Sequence, residues 1–503
     1  MNRFRTSSSK YEAVNMTAFD VIFVLPYLFS DHPSFPEGIL KKALESEGFR
    51  VGVIETPFWQ EKESFGLLGR PRLFFAVIAG PMDSVVLNYT SGRKRRKEDL
   101  YQADGEAYFK GYPPSIKYKV RPDRTAIVFS SRIKEVFPDV PIVIGGIEAS
   151  LRCFAHYDFQ QDKIRRSILL DSRANLLVHG MGEKQLTGIA RRLQAGTPAS
   201  DLTHPGTASV RSDFSPDDRF VELPPYEEVV KERAKLMESH LALQKAQQQG
   251  RGAAQRHAGR WVVAAPPERY TPSDLDRIHD HPYARRHLKG GLYSPALRMN
   301  LFSVTSHRGC GGGCAFCSIG AHQGKKIISR SVESIKKEIR AMTRHPEWKG
   351  MISDIGGATA EMYGNDCETE GCRKPSCLHP DRCRAFSPGR AYLDLLRECR
   401  KMPGVSKIFL GSGIRYDLLM GNPELLEEIM RHHTGGFLRI APEHTEDRVL
   451  ELMRKPSFQA LESFVKLFNT INRQLKRKVE PAPYLIVGHP GEEEKDVVEM
   501  KKK

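Results

Sequence analysis

Residues 301–320 read LFSVTSHRGCGGGCAFCSIG. A short apolar stretch, Leu301–Thr305, has the length and punctuation of a buried strand. A glycine-rich turn follows it and carries Cys310, Cys314 and Cys317. Glycines at 309, 311, 312, 313 and 320 let the backbone fold closely around a bound group, because residues without a Cβ tolerate unusual dihedrals. Three thiolates spaced C-x3-C-x2-C can occupy three corners of a cubane iron–sulfur cluster and leave the fourth iron open. Ordinary electron-transfer clusters use four cysteines, and structural zinc sites use paired C-x2-C spacings.

Downstream, apolar strands alternate with helical stretches. The strands are expected at Gly350–Ile355, Ser406–Leu410, Gly436–Ile440 and Pro483–Val487. Helices are expected at Ser331–Thr343, Ala391–Lys401, Pro423–His432, Thr445–Met453 and Phe458–Leu475. Asn422 and Pro423 supply a cap and a first-turn proline for the third of these helices. This rhythm predicts an α/β fold, with a partial (β/α)6 barrel over residues 296–503. The chain stops in the helix after the fifth strand, so the barrel's last strand is expected to be missing and the chain truncated.

Upstream, Asp20–Pro26, Val51–Ile54, Leu73–Ile78, Pro141–Gly145 and Asn175–His179 form a second series of strands among helices. They predict an N-terminal α/β domain over residues 1–195. Ligand loops are expected at the strand ends, at Asp31–Ser34 and Gly145–Glu148. Residues 196–295 read as a connector with a mobile Gln/Ala-rich segment.

The 503 residues include 77 Lys+Arg against 61 Asp+Glu, a net charge of +16, and are 40% hydrophobic. Such a balance excludes a disordered chain and permits an anionic partner. No apolar run approaches the ~18 residues of a membrane span. Nine cysteines, an odd number clustered late in the chain, argue against a secreted disulfide scaffold and for a cytoplasmic protein.

The C-x3-C-x-aromatic-C pattern, with Phe316 as the aromatic, resembles the radical S-adenosylmethionine (SAM) superfamily. The segments DHPSF (31–35), VIGGIEASLR (143–152) and DIGGAT (354–359) further resemble YgiQ-type radical SAM proteins. The resemblance implies a [4Fe–4S] cluster on Cys310, Cys314 and Cys317, with SAM on the open iron. Reductive cleavage to a 5′-deoxyadenosyl radical would follow, driven by a one-electron donor such as flavodoxin or ferredoxin, and an unidentified substrate would lose hydrogen. The resemblance assigns Gly356 and Gly357 to a backbone contact with the SAM amino group. Among polar residues at later strand ends, Ser412, Arg415 and Arg439 are SAM-binding candidates, with Ser412 facing the ribose and Arg439 the carboxylate. Arg439, Glu443 and His444 are the catalytic candidates.

A second cysteine group, Cys367, Cys372, Cys377 and Cys383, lies in a polar stretch without apolar periodicity. Four thiolates there can hold an auxiliary [4Fe–4S] cluster or zinc, or can stand as free loop cysteines. The group is expected to close its own loop, apart from the barrel mouth. Two other readings of the chain stay open. One is a cobalamin-dependent radical SAM methyltransferase, against which the Asp-x-His-x-x-Gly signature is missing. The other is an RNA-binding or RNA-modifying protein, for which the basic balance is the only nucleic-acid signal.

Overall fold

The computed structural model describes residues 18–110, 118–367, 369, 372, 374–387, 389–475 and 478–503. Strand β1 (Val21–Leu25) is buried along its whole length. Val21, Phe23 and Leu25 enter one apolar layer, and Ile22 and Val24 enter another. A parallel strand covered on both faces needs such a continuous run. Helix α1 (Pro36–Ser46) leads to β2 (Val51–Glu55), and β3 (Phe74–Ile78) pairs with the other side of β1. Helix α2 (Thr125–Val136) precedes β4 (Ile142–Gly145), and β5 (Leu176–Val178) precedes helix α3 (Glu183–Gln194). The parallel order β2-β1-β3-β4-β5 reverses between β1 and β3, the place where a doubly wound sheet opens a crevice at its carboxyl ends.

Residues 196–295, expected to be a connector, build much of the same sheet. Strands β6 (Thr207–Arg211), β7 (Phe220–Leu223), β8 (Gly252–His257) and β9 (Arg260–Ala264) extend it to the order β7-β8-β9-β6-β5-β4-β3-β1-β2. The pairs from β5 through β6 and β9 to β8 are antiparallel. Helix α4 (Arg233–Gln248) packs against β7. The polar composition misleads because its polar groups are used internally. Gln255 is fully buried, accepts from Ala155 N–H at 2.7 Å and donates to Pro224 O at 2.9 Å.

The second half is a curved parallel βα array. It contains β10 (Ser303–Thr305), helix α5 (Val332–Met342), β11 (Met351–Ile352), β12 (Asp354–Gly356), helix α6 (Arg390–Arg400) and β13 (Lys407–Ile408). Helix α7 (Pro423–Glu428), β14 (Phe437–Glu443), helices α8 (Asp447–Met453) and α9 (Phe458–Gln474), and β15 (Glu480–Leu485) follow. Ladders β10–β12, β11–β13 and β14–β15 are parallel, and an Ile414–Ile440 bridge continues the curve. Asn422 caps α7 by accepting from Leu425 N–H at 3.1 Å, as its sequence predicts. Strand β15 starts at Glu480 rather than Pro483. Pro481 and Pro483 obscure it in the sequence, but a ladder paired on one side accommodates residues without an N–H.

Buried charges join the halves. Arg285, 4% exposed, donates to Leu301 O and pairs with Glu338, while Arg308 meets Glu183 at 2.7 Å. Among the described residues no helix is long and apolar enough to cross a membrane.

Candidate active site

The cysteine-bearing loop leaves the carboxyl end of β10 and is fastened through backbone that admits no side chain. Gly309 has φ +84°, and a Cβ there would lie 1.9 Å from Lys326 O. At Gly313, φ +62°, a Cβ would lie 2.4 Å from Pro375 O. The end of α8 supports the loop from below, Met453 O accepting from Ala315 N–H at 3.2 Å.

Cys310, Cys314 and Cys317 all lie on this glycine turn. A Cβ on Gly312 would sit 3.4 Å from Cys310 Sγ and 3.7 Å from Cys314 Sγ, so both sulfurs border space that glycine leaves free. Cys317 feels the charges of Cys310 and Cys314, and burial raises the thiols of Cys310 and Cys317. Among the described residues no three His, Cys, Asp or Glu side chains close around one point tightly enough for a single ion. A donor set of three thiols without a fourth suits three corners of a cubane with one iron left open, rather than a closed tetrahedral site. This thiol set therefore fits a cluster.

Arg415 is the best placed of the remaining candidates. It is 5% exposed, its Nη1 lies 3.5 Å from Cys314 Sγ, and Asp417 grips it in two-pronged fashion at 3.1 and 2.9 Å. Its backbone N–H donates to Glu361, whose buried carboxyl is pushed up to about 8 by desolvation. Thr359 Oγ1 stands 3.9 Å from Cys310 Sγ. Gly356 and Gly357 end β12 and its turn, where Cβ atoms would strike Ser412 and the His307 ring.

Other assignments need correction. The Ser412 hydroxyl is committed to Asp354, donating at 2.5 Å, so the strand-end group facing the mouth is the Asp354–Ser412 pair. His444 is fully buried; Nδ1 accepts from Glu446 N–H at 2.9 Å and Nε2 lies 3.4 Å from Glu492, leaving no ring nitrogen for chemistry. Glu443, beside it, has φ +70°, a strained conformation for a non-glycine residue, and sits 3.9 Å from the buried Lys455. Arg439 is exposed and donates to Gly411 O at 3.2 Å. Phe316 stacks edge-on against His489. Asp417, which follows the third barrel strand with Ser412 and Arg415, was legible from the sequence, whereas Asp354, Glu361 and Lys455 were passed over; the acidic residue opening DIGGAT, at a strand's carboxyl end, was the available signal for the first.

The second cysteine group does not stand apart. Cys377 N–H donates to Gly311 O at 2.8 Å, and the buried Ser376 hydroxyl donates to Gly312 O at 2.7 Å. The loop carrying Cys367, Cys372, Cys377 and Cys383 is thus docked on the glycine turn of the first group.

A cavity of about 420 Å³ lies between the switch-point crevice and the barrel mouth, bordered by Ser34, Gly146, Thr305, His322, Asp354 and Gly357. Two expected ligand-loop residues serve structure instead. Glu148 is buried and accepts from Ser84 and Ala126, and His32 accepts from Ser34 N–H at 3.0 Å and packs on Leu301 O.

The radical SAM N-terminal family model matches residues 4–297, and the radical SAM superfamily model matches residues 304–503. A UPF0313 protein of Geobacter sulfurreducens is 44% identical over 492 residues, covering 96% of this chain and 80% of the relative. A UPF0313 protein of Methanosarcina mazei is 40% identical over 539 residues, covering 98% and 84%. Among solved structures, the radical SAM methyltransferase TsrM from Kitasatospora setae, with cobalamin and a [4Fe–4S] cluster bound, superposes with a TM-score of 0.52 at 15% identity. That match covers 97% of this chain and 72% of TsrM. The cobalamin-dependent SAM radical enzyme OxsB gives a TM-score of 0.50 at 11% identity, covering 94% and 50%. At these identities the likeness is one of fold. With both halves matched by family models and close relatives along nearly its whole length, the chain belongs to the radical SAM superfamily and, within it, to the UPF0313 family.

Proposed function

We propose that this chain is a radical SAM enzyme in which Cys310, Cys314 and Cys317 hold a [4Fe–4S] cluster with one iron left for SAM. The sulfurs of Cys310 and Cys314 bordering the Gly312 space at the barrel mouth, with Cys317 near enough to feel both, carry this reading. A cluster reduced by an external one-electron donor would, with SAM bound, supply one-electron cleavage of the sulfonium to methionine and a hydrogen-abstracting 5′-deoxyadenosyl radical.

The protein's part is positioning. Arg415, fixed by Asp417, donates toward Cys314 Sγ and offsets thiolate charge. Backbone at Gly356 and Gly357 would receive the SAM amino group, the Asp354–Ser412 pair would hold the ribose, and the exposed Arg439, which now donates to Gly411 O, would turn to the carboxylate. Glu443 and Lys455 supply a partly buried acid and base near the mouth. The 420 Å³ cavity, bordered on one side by the carboxyl ends of the N-terminal strands, is the substrate's place. Anaerobic reconstitution with iron and sulfide, followed by EPR of the reduced protein with and without SAM and assay of 5′-deoxyadenosine, tests the reading. A reduced protein with no [4Fe–4S]⁺ signal that SAM perturbs overturns it.

Cobalamin is the second reading, favoured by the crevice at the carboxyl ends of β3, β4 and β5 and by the bound cobalamin in TsrM. His32, the histidine of the first strand's loop, has both ring nitrogens engaged and so would not hold the cofactor's metal. Stoichiometric uptake of cobalamin by the purified chain would establish this reading; no uptake would remove it.

A further inference from the structure

We propose that Cys367, Cys372, Cys377 and Cys383 hold a second, all-thiolate iron–sulfur cluster seated directly against the glycine turn of the first cysteine group. All four are free thiols and half-buried. Cys377 feels the charges of Cys383, Cys372 and Cys367, whereas Cys317 feels those of Cys310 and Cys314, so the thiols sort into two sets. The two sets nevertheless share a floor. Cys310, Cys377 and Cys383 all pack on an apolar cluster of Ile327, Met362, Phe386 and Leu418. Such a dry base shields a cluster from water on one side. On the other side Lys325 Nζ lies 3.4 Å from Cys372 Sγ and supplies a cation against the negative charge of a four-thiolate centre.

The loop's construction calls for a cross-link. From Asn365 to Ser387 the described residues form neither helix nor strand. The ends are tied by Ser387 N–H to Asn365 Oδ1 at 2.8 Å, and Cys383 N–H donates to Cys377 O at 2.7 Å. A long loop without a ladder inside a compact domain is uncommon unless something organises it. The donor set is soft and contains only thiolates, which suits an iron–sulfur cluster or zinc. A cubane would carry the four thiolates on separate irons, whereas zinc would gather all four on one centre; we assign iron–sulfur, and the counts of iron, sulfide and zinc below separate the two.

The proposal does not rest on the first group's reading, since each set is tested with the other removed. Iron, acid-labile sulfide and zinc are measured on the anaerobically purified full chain, on C310A/C314A/C317A and on C372S/C377S. Two cubanes give about eight irons in the wild type and about four in each variant. If the triplet variant keeps about four irons with matching sulfide, the second cluster stands even if SAM chemistry fails. One equivalent of zinc lost with C372S/C377S, or iron unchanged by that substitution, overturns the proposal. Should either multiple variant fail to fold, Lys325→Ala keeps every thiol. It should release about half of the iron to a chelator several-fold faster than the wild type, and an unaltered release profile would count against the cluster.

Discussion

The two cysteine loops meet at Gly311 but are made in opposite ways. The loop of Cys310, Cys314 and Cys317 is held by backbone approaches so close that Gly309 and Gly313 admit no side chain, and by Arg415 against Cys314. The loop of Cys367, Cys372, Cys377 and Cys383 is held by a few hydrogen bonds to that turn and by a small apolar floor. The first is shaped by the barrel before anything binds; the second leans on the first and on whatever its thiols take up. A site that needs an open iron gains from a rigid frame, whereas a site closed by four ligands can supply its own order.

The largest effect should come from removing a thiol of the rigid loop. Cys314→Ala should reduce 5′-deoxyadenosine formation to background, while Cys383→Ala should leave measurable cleavage; equal loss in both would erase the functional distinction.

Next in size, Gly309→Ala forces a Cβ into Lys326 O at positive φ and should cost roughly 3 kcal/mol or more. Chemical denaturation gives the number, and a midpoint shift within error would refute the rigid-frame account. Arg415→Gln should follow at about 2–4 kcal/mol, because it strands the partly buried Asp417 carboxylate. A double cycle with Asp417→Asn would show whether that loss belongs to the pair.

A pH experiment separates the barrel mouth from the N-terminal sheet. Burial raises both Glu361 and Glu37 from 4.5 to about 8. Between those values the folded chain holds protons that the unfolded chain has released. Each group's contribution is therefore complete below about 4.5 and is lost as pH rises through about 8. Glu361→Gln and Glu37→Gln should each flatten the decline of Tm between pH 5 and pH 8, flags set by those two values. If Glu361→Gln leaves the slope as it was, the carboxyl is not protonated at the mouth.

The smallest change is Gly311→Ala. Its Cβ would face Cys377 Sγ at 3.3 Å, a contact that a modest shift relieves, so about 1 kcal/mol or less is expected. The effect should appear in the second loop, as faster proteolysis between Cys367 and Cys383, with the first cluster's spectrum unchanged. A disturbed first cluster would mean that the two loops form one unit.

Much of this was legible in the chain itself. The run Val21–Leu25 is apolar throughout because it is covered on both faces, and Asn422-Pro423 announces a helix because cap and first turn are local chemistry. The triplet's role is equally local, since thiols within eight residues must share a neighbourhood whatever surrounds them. Strands β6 to β9 were missed because their partners, not their own periodicity, make them strands.

The sequence by itself thus determined the parallel βα rhythm of both halves and the cysteine turn at a strand's end, each written in contiguous residues. Only the tertiary structure decided that Ser412 spends its hydroxyl on Asp354, that His444 is sealed under Glu492, that Arg415 lies against Cys314, and that the second cysteine loop rests on the first. The reason is physical: a side chain's chemistry depends on which polar groups and how much water reach it, and those neighbours come from strands and loops tens of residues away.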